Sequence, residues 1–154
     1  MLCYTEVCLS HLEVPDERAI CIYISGCQNN CKNCHYPLLK RRYYGDLLSL
    51  NYENILDLYI NQGTCVCFMG EGNGGKNEKE ELVKYSSMAH ERGLKTCLYS
   101  GRDINIESWM NCFDYIKLGS YQEHLGGLES QTTNQKMYKK QDNKYLDITS
   151  LFWE

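Results

Sequence analysis

The chain has 154 residues, only two prolines, 43% hydrophobic residues and a formal net charge of −4, which suits one globular α/β domain with a core of its own. A pI near 5.6 argues against nucleic acid as the principal partner, which favours a basic face, and no stretch approaches the ~18 apolar residues of a membrane span. Ten cysteines, with neither a basic nor an apolar leader in MLCYTEVCLSHLEVPDE, predict a reducing, cytoplasmic setting where thiols bind metal or fill cores.

In chain order, Tyr4 to Val14 alternates loosely and is closed by Pro15-Asp16-Glu17, which predicts an N-terminal strand or hairpin at a sheet edge. Ala19 to Ser25 predicts the first buried strand. From its end hangs Gly26-Cys27-Gln28-Asn29-Asn30-Cys31-Lys32-Asn33-Cys34-His35-Tyr36-Pro37, with three cysteines spaced C-x3-C-x2-C. Lys40-Arg41-Arg42 is the one compact basic run, read as a solvated loop, with a docking patch for an acidic partner or cofactor as the alternative. Tyr52, Ile55, Leu56, Tyr59 and Ile60 recur at helical spacing and stop at Asn61-Gln62-Gly63.

Thr64 to Met69 predicts a second buried strand, followed by a glycine-rich turn, Gly70 to Gly75, and a helix from Asn77 to Arg92 ending at Gly93. Leu94 to Tyr99 predicts a third strand, Ile106 to Asn111 a short helix, and Phe113 to Leu118 a fourth strand. The tail after Gly119 reads as loop, then a small hairpin of Lys136–Lys140 and Lys144–Ile148 turning at Asp142-Asn143. Alternating strands and helices predict right-handed crossovers and an α/β fold with mostly parallel strands. The chain is too short for a closed eightfold barrel of ~250 residues, which leaves an open or partial (β/α) barrel with a C-terminal loop and hairpin tail. Ligands of such sheets sit at the carboxyl ends of the strands, so the cysteine loop, Gly70–Gly75 and Ser100–Arg102 should converge on one site.

Three thiolates on a loop after a buried strand can hold an iron–sulfur cube with one iron open to a ligand that is not protein. They can also be three of four zinc ligands, with His35 or a distant cysteine as the fourth. Adjacent Cys34 and His35 make an awkward chelating pair, and paired zinc knuckles usually show C-x2-C twice. The other seven cysteines lack ligand spacing and read as core; Cys65 and Cys67 point to one face of their strand. Gly70-Glu71-Gly72-Asn73-Gly74-Gly75-Lys76-Asn77 comes within one residue of a P-loop, but Asn77 replaces the hydroxyl that would hold Mg²⁺. Its simpler use is close backbone approach to a ligand, with the Glu71 carboxylate available to an ammonium group.

Together these residues resemble the radical S-adenosylmethionine (AdoMet) superfamily, and within it the activating proteins of the anaerobic (class III) ribonucleotide reductases. The resemblance rests on SGCQNNCKNCHYP, then CFMGEG, LYSGR, FDYIKLG, LGGLESQTTNQ and YLDITSLFW, and it spans almost the whole chain as a single domain. It implies a [4Fe–4S] cluster on Cys27, Cys31 and Cys34, with AdoMet chelating the open iron through its amino and carboxylate groups. Asn33 and His35 would line the adenine pocket, Gly70 and Glu71 would receive the methionine amino group, and Ser100 and Lys117 would contact ribose and carboxylate.

The family's Gly-Gly-acid triplet reads Gly70-Glu71-Gly72 here, a departure that shifts the carboxylate by one residue. The implied activity is reductive cleavage of AdoMet to a 5′-deoxyadenosyl radical that takes a hydrogen from a glycine of the reductase. The reductase large subunit would be the partner and would complete the cavity, and a protein such as flavodoxin would be the electron donor; neither nucleic acid nor membrane is expected as a partner. Two alternatives remain: a radical AdoMet enzyme acting on a small molecule, such as a modified nucleobase, and a zinc-stabilised interaction module.

Overall fold

A computed structural model of the chain describes residues 1–26 and 45–153. Cys27, Cys31, Asn33, Cys34, His35 and the Lys40–Arg42 run lie outside the described residues. The strands are β1 (Cys3–Ser10), β2 (Ala19–Ile24), β3 (Asp46–Leu47), β4 (Cys65–Met69), β5 (Lys95–Tyr99), β6 (Tyr115–Leu118), β7 (Lys136–Gln141) and β8 (Lys144–Asp147), with helices α1 (Leu48–Tyr59) and α2 (Lys76–Glu91). They form one eight-stranded sheet in the order β3-β1-β2-β4-β5-β6-β7-β8. This is a mixed α/β fold.

The sheet corrects the expectation of mostly parallel strands. Parallel pairing is confined to β2-β4-β5-β6. The outer pairs β3·β1, β1·β2, β6·β7 and β7·β8 are antiparallel, so antiparallel contacts predominate. Two of these pairs have a local cause: β1 runs into β2, and β7 into β8, through connections too short to carry the chain back for parallel entry. The N-terminal segment is a single strand ending at Ser10, and it is not the edge, because β3 pairs outside it over Cys3 and Tyr4.

The central strands read as continuous apolar runs because both faces are covered. One face (Ile20, Ile22, Ile24, Val66, Phe68, Leu98 and Ile116) packs with Leu48, Tyr52, Leu56, Leu82, Tyr85 and Ala89 of the two helices. Tyr52 fixes α1 against α2: its ring centroid lies 4.4 Å from that of Tyr85, and its hydroxyl donates to Tyr85 O at 2.6 Å. The opposite face carries Cys21, Cys65, Cys67, Cys97, Tyr115 and Met137, covered by Val14, Leu128 and Phe152 from loops and the tail rather than by helices.

Cys21, Cys67 and Cys97 stand in register as a row of thiols. Each is fully buried. Burial raises the pKa of Cys67 and Cys97, and hydrogen bonding to Cys67 followed by burial raises that of Cys21. These are protonated packing groups, and Cys65 and Cys67 share a face as expected.

Element ends follow the residues present. Gly93 (φ +76) ends α2 in a Schellman arrangement, with Leu94 N donating to Ala89 O at 3.1 Å and Gly93 N to His90 O at 2.9 Å. Asp142 (φ 52) and Asn143 (φ 63) supply the two left-handed residues of the tight β7–β8 turn. The predicted helix at Ile106–Asn111 is instead a 3-10 turn, Ser108–Cys112, too short to nucleate α-helix.

Candidate functional site

The carboxyl ends of the parallel strands carry Ser25-Gly26, Gly70–Gly75, Ser100–Arg102 and Gly119, and the backbone there is built for close approach. Gly26 (φ +85) departs toward the cysteine segment against the glycine turn: a Cβ on it would lie 3.5 Å from Gly72 C. Gly70 (φ +121) and Gly72 (φ +68) hold conformations that side chains disfavour.

Gly70, Glu71, Ser100 and Lys117, expected as one site, come together from three strands. Ser100 Oγ donates to Glu71 Oε2 at 2.5 Å. Lys117 Nζ donates to Gly119 O at 2.8 Å and to Ser100 O at 3.4 Å, and lies 5.6 Å from the Tyr99 ring centroid. Glu71, Ser100 and Lys117 are all buried.

Beside them opens a cleft of about 690 Å³, whose lining includes Tyr23, Met69, Gly70, Tyr99, Gly101 and Lys117, a size normal for a small-molecule site. Its floor is one register row across the sheet, Tyr23–Met69–Tyr99–Lys117, directly above the thiol row. Tyr99 is held by a hydrogen bond from its hydroxyl to Glu13 O. Leu12, Leu128 and Phe152 contribute apolar surface.

Arg102, which the sequence reading left without a role, organises the charge. Its Nε and Nη2 donate to Glu71 Oε2 and Oε1 at 2.9 and 2.6 Å. The same Nη2 reaches Glu107 Oε1 at 2.8 Å, and Nη1 reaches Glu107 Oε2 at 3.4 Å. Trp109 Nε1 donates to Glu107 Oε1 at 2.7 Å, and Lys79 Nζ lies 3.9 Å from the same oxygen. The hydrogen bond to Glu71 raises the Arg102 pKa. The Arg102 guanidinium, followed by the Trp109 N–H, holds the Glu107 carboxyl below its usual range. The signal that could have found Arg102 is the buried acid itself: a glutamate at a strand end needs a cation or several donors.

The glycine turn is a poor phosphate cradle. Asn73 Oδ1 accepts Gly75 N at 2.9 Å, and a Cβ at Gly75 would meet Glu78 Oε1 at 3.1 Å. A buried carboxylate therefore stands at the start of α2, where a nucleotide would bring its own negative charge. Among the described residues, no group of three or more His, Cys, Asp or Glu side chains is arranged to hold a metal ion. No helix among them is long and apolar enough to cross a membrane.

The search against protein-family models, curated proteins and solved structures returned no match to this chain.

Proposed function

We propose that this chain is a radical AdoMet activase that carries a [4Fe–4S] cluster on Cys27, Cys31 and Cys34 and generates a glycyl radical on the anaerobic ribonucleotide reductase. The observation that carries the reading is the meeting of Gly70, Glu71, Ser100 and Lys117 at the carboxyl ends of parallel strands, where Gly70 and Lys117 line a cleft. These residues come from three strands separated in sequence, and Gly26, the last described residue before the C-x3-C-x2-C segment, lies against Gly72 of the same glycine turn.

The donor set suits the methionine part of AdoMet. Glu71 is an acid for its ammonium, Lys117 a cation for its carboxylate, and the glycines at the strand ends allow close backbone approach. Tyr23, Tyr99 and Met69 offer polarizable surface to the rest of the molecule. When bound, the cluster supplies the electron that splits AdoMet into methionine and a 5′-deoxyadenosyl radical. This chain's own residues bind AdoMet, orient it and keep water from it.

On this reading, β2-β4-β5-β6 with both helices on one face is the wall of an open partial barrel, and the cleft is its mouth. Leu12, 82% exposed on the rim, and Phe152 give the reductase an apolar surface to cover. An electron donor such as flavodoxin reduces the cluster, and the setting is cytoplasmic.

The test is 5′-deoxyadenosine release from AdoMet by anaerobically reconstituted, dithionite-reduced protein, beside Cys31→Ala. Release by the wild type and none by the variant is the expected result. A colourless protein that takes up zinc and no iron overturns the proposal. Release coupled to turnover of a small molecule without the reductase would keep the chemistry and replace the target.

A further inference from the structure

A second cavity opens at the carboxyl end of β6, on the face of the sheet away from the cleft. Lys117 lines the cleft, whereas its neighbour Leu118 and the facing Tyr138 belong to the helix-side core. The cavity measures about 450 Å³, and Asp103, Ile104, Leu118, Asn134, Lys136 and Tyr138 are among its walls. None of these six lines the cleft. Gly119 (φ +111) lets the Asn134 segment close one side: a Cβ there would lie 3.0 Å from Gln135 Cα and 3.2 Å from Asn134 O. Asn134 belongs to the Leu125–Gln135 stretch, to which the AdoMet reading gives no role.

The hydrogen bonds in this wall leave acceptors over. Asp103 Oδ1 accepts Ser120 N at 2.9 Å and Asn134 Nδ2 at 3.3 Å, and Oδ2 accepts Ser120 Oγ at 2.8 Å. Asn134 Nδ2 also donates to Ser120 O at 3.1 Å. The hydrogens of Ser120 and of the Asn134 amide are thereby used. A carboxylate offers about four acceptor positions, so Asp103 Oδ2 keeps one, and Asn134 Oδ1 is buried with no partner at all. The Ser120 backbone N–H, followed by its hydroxyl, holds the Asp103 carboxyl below its usual range.

A ligand for this place must therefore bring donors. It needs no net charge, because Lys136 stands in the same lining as Asp103 and offsets it. A hard metal ion would call for more than the one acid present. Ile104, Leu118 and Tyr138 offer a face on which a ring can lie.

We infer that this cavity binds a sugar ring through a vicinal diol, with one hydroxyl donating to Asp103 Oδ2, its neighbour donating to Asn134 Oδ1, and the ring lying against Tyr138. Asn134 is half-buried as a residue, and a small turn of its amide presents Oδ1 to the cavity. An acid that takes a ribose diol at the carboxyl ends of parallel strands is an arrangement α/β proteins use. A free sugar and the ribose of a nucleoside carry the same diol. The inference goes beyond the AdoMet reading and does not depend on it.

The experiment titrates the nitrogen-15-labelled full chain with methyl β-D-ribofuranoside, with its 2-deoxy counterpart and with uridine, whose base is not the adenine of AdoMet. Saturable shifts at Ile104, Gln122 and Asn134, with Met69 and Tyr99 of the cleft unmoved, are expected for the ribofuranoside. Loss of the 2-hydroxyl should weaken binding about tenfold, the scale of one hydrogen bond to a charged group, and Asp103→Asn should weaken the ribofuranoside about as much. Uridine binding more tightly than the ribofuranoside would make a nucleoside the source of the diol, and equal affinities would make it the sugar alone.

Equal binding of the ribofuranoside and its deoxy counterpart would overturn the diol. Shifts confined to the cleft, or no saturable shift with any of the three ligands, would overturn the site. Asp103→Asn can loosen the Ser120 turn and fail to fold; the deoxy comparison on the wild type then decides alone. These ligands need neither cluster nor AdoMet, so failure of the functional proposal leaves this result standing, and the reverse holds too.

Discussion

Two buried glutamates sit at opposite ends of the same parallel strands, and their surroundings differ in kind. Glu17, at the amino ends, receives Thr64 Oγ1 at 2.8 Å, Tyr115 OH at 2.8 Å and Lys95 Nζ at 3.1 Å. Its donors come from three places along the chain and tie the base of β4, β5 and β6 together. Glu71, at the carboxyl ends, is held by Ser100 and by one arginine that is also bonded to a second acid. Glu71 stands between the left-handed Gly70 and Gly72, of which Gly70 lines the cleft; around Glu17 lie two hydroxyls and the Lys95 ammonium. Equal burial thus separates the two only when the partners are considered: Glu17 is tied by two hydroxyls and a lysine drawn from three places along the chain, while Glu71 shares its one cation with a second acid.

The largest expected effect breaks the fastening. Glu17→Ala leaves the hydroxyl of the buried Tyr115 and that of Thr64 without their acceptor and should cost about 3 kcal/mol. Thermal melting should fall by about 6–10 °C for a domain of this size, while AdoMet affinity of the folded fraction stays at the wild-type value. A melting temperature within 2 °C of the wild type would show that the acid is no more than a surface partner of Lys95, and the contrast with Glu71 would collapse.

The two lysines sharpen the same comparison. Lys117→Met removes an ammonium group buried on the cleft floor, and should weaken AdoMet binding about tenfold with little loss of stability, since a buried charge is itself costly to keep. Lys95→Met removes an ammonium that is 53% exposed. It should leave binding unchanged and cost under about 1 kcal/mol. Binding isotherms and melts of both variants check the pair, and equal effects on binding would remove Lys117 from the site.

Much of this arrangement was legible in the chain because it follows local rules. Apolar runs too short for helices gave the parallel strands, Asp142-Asn143 gave the hairpin, and the strand-end rule put Gly70–Gly75 and Ser100–Arg102 in one neighbourhood, to which the family resemblance added Lys117. The sheet's outer strands were less legible, since the pairing of β3 with β1 and of β7 with β6 depends on partners chosen across the fold. The Ile106–Asn111 pattern misled because a single turn of apolar spacing does not distinguish α from 3-10. Arg102 was placed at the strand ends but given no role, because a charged residue after a strand usually faces water; its role depends on an acid 31 residues away. Sequence spacing does not measure that separation. The cysteine segment lies outside the described residues, so its ligand role remains part of the proposal.

The smallest effect separates Glu107 from Glu71, the two acids that share Arg102, by pH. The Glu107 carboxyl is held low by Arg102 and then by the Trp109 N–H, so its folded pKa lies below its unfolded value. A depressed folded pKa means that the native state gains from the ionised form: the gain is complete above the unfolded pKa and is lost as pH falls through the folded one. The window therefore runs downward from about pH 4.5, the ordinary glutamate range. Because Glu107 is 35% exposed, solvent screening limits the gain to a few tenths of a kcal/mol. Melting temperatures of wild type and Glu107→Gln, measured from pH 6 to pH 3, should differ most at pH 6 and converge toward pH 3. Parallel curves would mean that Glu107 draws nothing from Arg102, which would remove the sharing of one cation between two acids that distinguishes Glu71 from Glu17.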